Sequence, residues 1–200
     1  GRFDPTSGVL RRVWAFKSGA RPTDEALAEI RPLVGWHKVR WENPRIVLPF
    51  AGMELDFGGL VKEYAADRAA ELCRARGVES GLIDLGGDLA TVGPHPNGSP
   101  WLVGIRDPRA PQIAMARIAL SEGGLATSGD YERSFDIDHE FHHIIDPRTG
   151  LSARGVMSVT ITAISALDAD ALATAVFVLG ADDGLALIES LEDVEVFLIT

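Results

Sequence analysis

Residues 157–179 read MSVTITAISALDADALATAVFVL, and a change of rhythm inside this stretch decides the fold class. Met157 to Ile164 is β-branched and reads as a strand, whereas Asp168 to Leu179 reads as a helix. The pairing of strand with helix recurs outward in both directions. Towards the C-terminus, Asp182 to Leu191 predicts a second helix and Val194 to Ile199 a closing strand. Towards the N-terminus, Arg133 to Ile145 predicts a hairpin turning at Asp136 to Glu140, and Trp101 to Ile105 and Gln112 to Leu120 alternate like strands. Gly81 to Leu85 reads as a buried strand that ends in Gly86-Gly87-Asp88. From Gly59 to Arg76, apolar Leu60, Tyr64, Ala65, Ala69, Leu72 and Cys73 recur at helical spacing, with Gly77 placed to stop the helix. Val39 to Trp41 and Arg45 to Leu48 flank an Asn43-Pro44 turn. Thr23 caps a short helix with Asp24 and Glu25 in its first turn, which Pro32 ends or kinks. Strands outnumber helices and cluster in hairpins, so the expected class is α+β with mixed or antiparallel sheets and packed helices, over residues 1–200 as a single domain.

Composition narrows the function classes. The 200 residues are 46% hydrophobic and 24% charged, enough apolar content for a packed core and too much for a disordered chain. A net charge of −10 argues against a protein that tracks nucleic-acid phosphates or an anionic membrane. An anionic ligand would need local help from a metal, Arg, Lys or backbone N–H groups. The single cysteine, Cys73, forms no internal disulfide and no cysteine-based zinc cluster, and its spacing puts it on a helix core face. The most apolar run, Ala171 to Ala181, is bounded by Asp170 and Asp182 and is too short to span a bilayer.

Five stretches carry candidate chemistry. His139-Glu140-Phe141-His142-His143 matches the letters of a helical zinc motif. Its surroundings are β-like, however, and Pro147 blocks a helix, while strand residues four apart lie about 13 Å from each other. His139 and Glu140 then read as a polar hairpin tip. His143 stands apart because it precedes an Asp-Pro-Arg-Thr-Gly turn. Asp56-Phe57-Gly58-Gly59-Leu60-Val61-Lys62 leads a carboxylate, two glycines and a lysine into a helix, which reads either as an anion-binding helix start or as a plain turn. Gly86-Gly87-Asp88 reads as a ligand-approach turn or a tight corner, and Thr127-Ser128-Gly129-Asp130-Tyr131 as a polar turn or a capped bend. Asp170 and Thr174 are four apart, so their oxygens share one helix face. That suits a hard cation such as Mg²⁺, and equally an N-terminal acid beside a threonine bonded to its own backbone.

Taken together these motifs resemble the ApbE family, the FAD:protein FMN transferases. The matching stretches are Phe3 to Thr6, Asp56 to Asp67, Gly86 to Asp88, Trp101 to Pro108, Thr127 to Arg133, His143 to Gly150, Ser158 to Thr162 and Asp170 to Gly180. The resemblance implies an ApbE-like, T-fold-related architecture. It also implies a Mg²⁺-dependent reaction in which FMN passes from FAD to a threonine hydroxyl of an acceptor flavoprotein and AMP leaves. It places the Mg²⁺ ligands at Asp170, Thr174 and the Gly59 carbonyl. FAD contacts fall at Arg2, Phe3, Asp4, Asp56, Lys62 and the Ile145 backbone, and the base at His143. Hydrolysis of FAD to FMN and AMP, or FAD binding without chemistry, are the alternatives. The chain departs from the family where Glu63 follows the lysine in place of glycine and where Ala173 precedes the helix threonine. It is expected to lack the family's N-terminal segment. A periplasmic or envelope-attached setting is likewise implied, with membrane attachment only through a lipoprotein anchor outside this chain.

Overall fold

The structure, a computed structural model, describes residues 1–16 and 20–200. Among these, nine strands form: β1 (Arg40–Glu42), β2 (Arg45–Val47), β3 (Gly81–Leu85), β4 (Asp88–Gly93), β5 (Trp101–Arg106), β6 (Ala114–Leu120), β7 (Gly124–Gly129), β8 (Ser158–Ala163) and β9 (Glu195–Ile199). Four α-helices accompany them: α1 (Asp24–Ile30), α2 (Val61–Ala75), α3 (Ala166–Leu179) and α4 (Ala181–Glu189). A 3-10 helix, Pro5–Arg12, opens the chain. The main sheet runs β3-β4-β7-β8-β9, antiparallel throughout, and β1-β2 and β5-β6 are separate antiparallel hairpins. The expected α+β class therefore takes its antiparallel form.

Strand alternation sorts the core into layers. Ala90 and Val92 of β4 meet Ala66 and Ala70 of α2 and Ala166 of α3 on one face. On the same side, Ala126, Val159 and Ile161 pack against Ala169, Ala173, Val176 and Phe177 of α3. The neighbouring positions Leu89 and Leu125 point to the other face, where Leu120 of the β5-β6 hairpin covers them with half-buried Trp101, Val103 and Ile118. Close approach of α3 depends on a missing side chain: a Cβ on Gly124 would come 2.2 Å from the Ala166 nitrogen.

The starts of α1 and α3 are capped by side chains. Thr23 Oγ1 accepts the Ala26 N–H at 3.2 Å. Ser165 Oγ accepts the Asp168 N–H at 3.0 Å, and its hydroxyl donates to the Asp168 carboxylate at 2.6 Å. Asp67, halfway along α2, also reaches across to the start of α3. Its two carboxylate oxygens accept the N–H groups of Ala166 at 2.9 Å and Leu167 at 3.1 Å. A carboxylate at a helix N-terminus satisfies donors that have no partner within the helix and complements its dipole.

Four expectations change. The buried face of α2 consists of Glu63, Ala66 and Ala70, while Tyr64 and Leu72 are more than half exposed. Small alanines let the helix lie close on β4, so the larger apolar residues turn outward, and Cys73 packs at the edge of that core. Thr127 to Gly129 is not a turn but the end of central strand β7. Gly86 and Gly87, with φ of 71° and 97°, turn β3 into β4, a strand absent from the sequence reading. Arg133 to Ile145 folds back on itself through a Ser134–His142 bridge without forming regular strands. Its bend lies at Asp136 to Glu140 as expected, held by the Asp136 carboxylate accepting the N–H groups of Glu140 and Phe141.

Candidate functional site

A cleft of about 870 Å³ opens where the first turn of α2, the start of β4, the end of β7, one face of α3 and the chain's first residues converge. Each sequence-derived site residue lines it: Arg2, Phe3, Asp4, Asp56, Gly59, Lys62, His143, Ile145, Asp170 and Thr174. These positions span residues 2 to 174, so the cleft is a product of the whole topology.

One wall is acidic. Glu63, Asp88 and Asp170 each bring a carboxylate oxygen within 4.8 Å of the others. Glu63 and Asp88 are buried, and Glu63 Oε2 has no hydrogen-bond partner among the described residues. The Lys62 ammonium touches Asp88 and lies 3.4 Å from Glu63 Oε1. Burial works to lower the Lys62 pKa, but the hydrogen bond and charge of Asp88 and the charge of Glu63 outweigh it, so the net shift is upward. Burial raises the Glu63 carboxyl. Asp170 is pushed up to about 7, by burial first and then by the charges of Glu63 and Asp88, with Lys62 offsetting part. Three carboxylates facing one ammonium make a strongly negative pocket that favours a cation.

Thr174 shares the Asp170 face of α3, and its hydroxyl lies 3.0 Å from Ser128 Oγ at the end of β7. Gly59 sits against both Asp170 and the opening segment. A Cβ there would stand 3.4 Å from the Phe3 ring and 3.9 Å from Asp170 Oδ2.

The opposite wall is more fully bonded. Asp4 is buried and accepts from the Thr6 N–H at 2.9 Å, the Thr6 hydroxyl at 2.6 Å and the Trp36 N–H at 2.9 Å. It thereby caps the 3-10 helix as well as lining the cleft. Asp56 accepts the Gly58 N–H at 2.9 Å and pairs with Arg11 at 2.5 Å, shaping the turn that delivers Gly59. Ile145 lies in a β-bridge with Ser152.

The adjacent His142 and His143 separate. His142 is buried in the core: its Nε2 lies 2.8 Å from the Ala153 carbonyl, its Nδ1 accepts the Ile144 N–H at 3.3 Å, and its ring meets Phe177 edge-on. His143 faces the cleft, and its Nδ1 has no hydrogen-bond partner among the described residues. Burial, then the charges of Arg133 and His142, lower its pKa to about 4, so the ring is neutral at physiological pH. No helix forms at 139–143, and among the described residues these histidines do not enter a metal-type cluster.

Sequence reasoning noted Glu63 only as a departure from the family's glycine, gave Asp67 no role, and treated Asp88 only as part of a turn. Glu63 looks like an ordinary first-turn acid. The available signal was its position next to Lys62, which sends it to the buried side once Ala66 and Ala70 define the core face.

Similarity to known proteins extends along the chain. The ApbE family model matches residues 1–198. The chain is 36% identical to an FAD:protein FMN transferase of Treponema pallidum, covering 100% of this chain and 60% of the relative. It is 32% identical to one of Vibrio cholerae, covering 95% and 59%. It therefore spans about 60% of the length of these relatives. Among solved structures, the ApbE protein of Thermotoga maritima superposes with a TM-score of 0.89 at 36% identity, over 99% of this chain and 67% of that one. The apo flavinyl transferase ApbE of Pseudomonas stutzeri gives 0.83 at 33%, over 99% and 63%. In the described residues no helix is long and apolar enough to cross a membrane.

Proposed function

The chain belongs to the ApbE family, and on that premise we propose that it is a Mg²⁺-dependent transferase moving FMN from FAD to a threonine hydroxyl of an acceptor flavoprotein, with release of AMP. One observation carries the reading. Residues scattered from Arg2 to Thr174 meet at a single cleft that combines oxygen ligands, a phosphate-type lysine and an uncharged imidazole.

The donor set fits Mg²⁺. The Asp170 carboxylate and Thr174 hydroxyl share one helix face, Gly59 packs beside Asp170, and the pocket's carboxylates outnumber its ammonium groups. Asp170, Thr174 and the Gly59 carbonyl would hold the ion. It would supply charge neutralisation at the pyrophosphate and Lewis-acid activation of the phosphorus.

Lys62 keeps its positive charge and lies at the helix start, where it meets phosphate oxygens. Phe3, Arg2 and Asp56 line the approach for the nucleotide, with Ile145 contributing backbone. His143, neutral and with a ring nitrogen uncommitted, takes the proton of the threonine hydroxyl. As that oxygen bonds to the FMN phosphorus, the bond to the bridging oxygen breaks and AMP departs with the electron pair. Phosphoryl transfer of this kind depends on positioning and electrostatics rather than on a covalent protein intermediate. The periplasmic or envelope setting belongs to the same reading.

The test incubates the protein with FAD, Mg²⁺ and an acceptor domain and weighs the acceptor. An FMN-sized gain on threonine is the expected result. Free FMN without that gain points to the pyrophosphatase alternative, and intact FAD to binding alone.

A further inference from the structure

We propose that the acceptor protein docks by strand addition: an extended segment carrying the target threonine pairs with the free edge of β5 inside the cleft. The inference rests on the transferase reading above and concerns how its protein substrate is held. The first ground is which residues line the cleft. Val103, Gly104, Ile105 and Arg106 all do, four in succession. Successive side chains of a strand point to opposite sides, so a cleft that meets only one face touches alternate residues. Contact with four in a row means that the cleft meets the edge of the strand. Among the described residues β5 pairs with β6 alone. In an antiparallel pair every second residue turns its N–H and C=O away from the partner. The cleft side of β5 therefore carries backbone donors and acceptors with no described strand beside them.

The second ground is the form of that edge. Val103 packs on the core beneath the hairpin and Ile105 is buried, which anchors the strand. Gly104 between them is exposed and brings no side chain. A Cβ there would meet only the Ala114 Cβ, at 3.7 Å, so the backbone is open to a neighbouring chain. Long, flat edges invite pairing between copies. This one is six residues long, has an irregularity between Ile105 and Arg106, and lies in the cleft wall, so a strand reaches it by entering the site.

The edge and its surroundings describe the partner. Its length accommodates roughly four to six residues of extended chain, at about 3.4 Å each. Threonine is β-branched and suits such a chain. Alternation along the added strand lets its hydroxyl turn towards His143, which lines the same cleft, while the residues on either side point the opposite way. At one end of β5, exposed Arg106 and Arg133 flank a single carboxylate, Glu132, which lies 3.9 Å from the Arg106 guanidinium. That local excess of positive charge complements an acidic side chain in the acceptor segment. Main-chain hydrogen bonds then supply affinity, and the threonine and the acidic residue set the register.

Backbone amide exchange, resolved by NMR, tests the pairing. The acceptor domain is used with its target threonine replaced by valine, together with FAD and Mg²⁺, so that the complex assembles without transfer. The expected result is exchange slowed by about tenfold or more at every second N–H from Leu102 to Arg106, with the β6 amides unchanged. In FMN transfer to the unaltered acceptor, Arg106→Glu raises the acceptor KM by roughly tenfold, and Arg106→Lys restores most of that loss. Melting curves check that both variants fold, and the exchange measurement on the parent needs neither. The proposal is overturned if the parent transfers FMN while the complex leaves the β5 amides unchanged, or if protection falls only on α2 or the β1-β2 hairpin. It is equally overturned if Arg106→Glu keeps the parental acceptor KM, or if the β5 amides become protected in the chain alone at raised concentration, which marks pairing between copies. FMN transfer without β5 protection removes only this inference. Protection at β5 without transfer supports strand addition and removes the transferase reading.

Discussion

Asp170→Asn separates the metal pocket's charge from its shape. The Asp170 carboxyl ordinarily titrates at 3.8 and is pushed up to about 7 in the fold. A difference of about three units, at 1.36 kcal/mol each, sets a ceiling of about 4 kcal/mol. The folded state holds this proton more tightly than the unfolded state does. Between pH 3.8 and 7 the native protein therefore loses stability as pH rises, and the full cost is present above pH 7. Asparagine cannot ionise and escapes that cost. In chelator, the variant should be more stable than the parent at pH 8, and its advantage should exceed that at pH 5 by about 2 kcal/mol. Urea unfolding curves at the two pH values measure both numbers. An advantage that is the same at both, or a variant less stable than the parent at pH 8, refutes the picture of Asp170 as a charge held against two other carboxylates.

Four further outcomes follow from the same structure. His143→Ala should lower FMN transfer by roughly 10²- to 10⁴-fold while FAD binding, read by flavin fluorescence, stays near the parent value; parental transfer removes His143 as the base. Because the His143 pKa is held at about 4, the imidazole is neutral throughout pH 5–8, and the transfer profile should show no His143 inflection near 6.5. Gly124→Ala drives a methyl group to 2.2 Å from the Ala166 nitrogen, and the forced shift of α3 should cost about 1–3 kcal/mol, visible as a Tm several degrees lower. An unchanged Tm contradicts the close β7–α3 contact. Arg109→Ala leaves the buried Asp130 carboxylate without its two-pronged partner, both contacts now at 2.8 Å. About 2 kcal/mol should be lost in urea unfolding, less than for a fully buried pair because Arg109 is partly exposed.

Much of this architecture is legible from periodicity. Met157 to Leu179 divides into β8 and α3 within two residues of its observed boundaries at every point, because β-branched alternation and an Ala-rich helix are distinct signals. Asp170 and Thr174 are found by helical spacing alone. The α2 face is misjudged because hydrophobic size is a poor guide where two small residues buy proximity: Ala66 and Ala70 are buried while Tyr64 and Leu72 are not. β4 and the strand character of Thr127 to Gly129 are missed because glycines at 86, 87 and 129 read as turns, whereas only the first two are. Glu63 is legible only as a departure from the family's glycine; its place in the acidic wall is not, because burial of a charge is decided by neighbours remote in sequence, here Asp88 and Asp170.

The Asp67 carboxylate that caps α3 joins residues 99 and 100 positions apart in the chain. That separation has a consequence in time. Contacts between distant residues pay a large loop-closure entropy and form late, so folding is slower than local structure suggests. α2 carries Lys62 and Glu63, but it receives its partner helix only after nearly all of the chain through Ala166 exists. During synthesis, Asp67 has no N–H groups to accept, and the carboxylates at 63 and 88 wait without the third. Competence to hold metal or nucleotide therefore arrives with α3, and a nascent chain ending before it carries the α2 half of the cleft with nothing facing it.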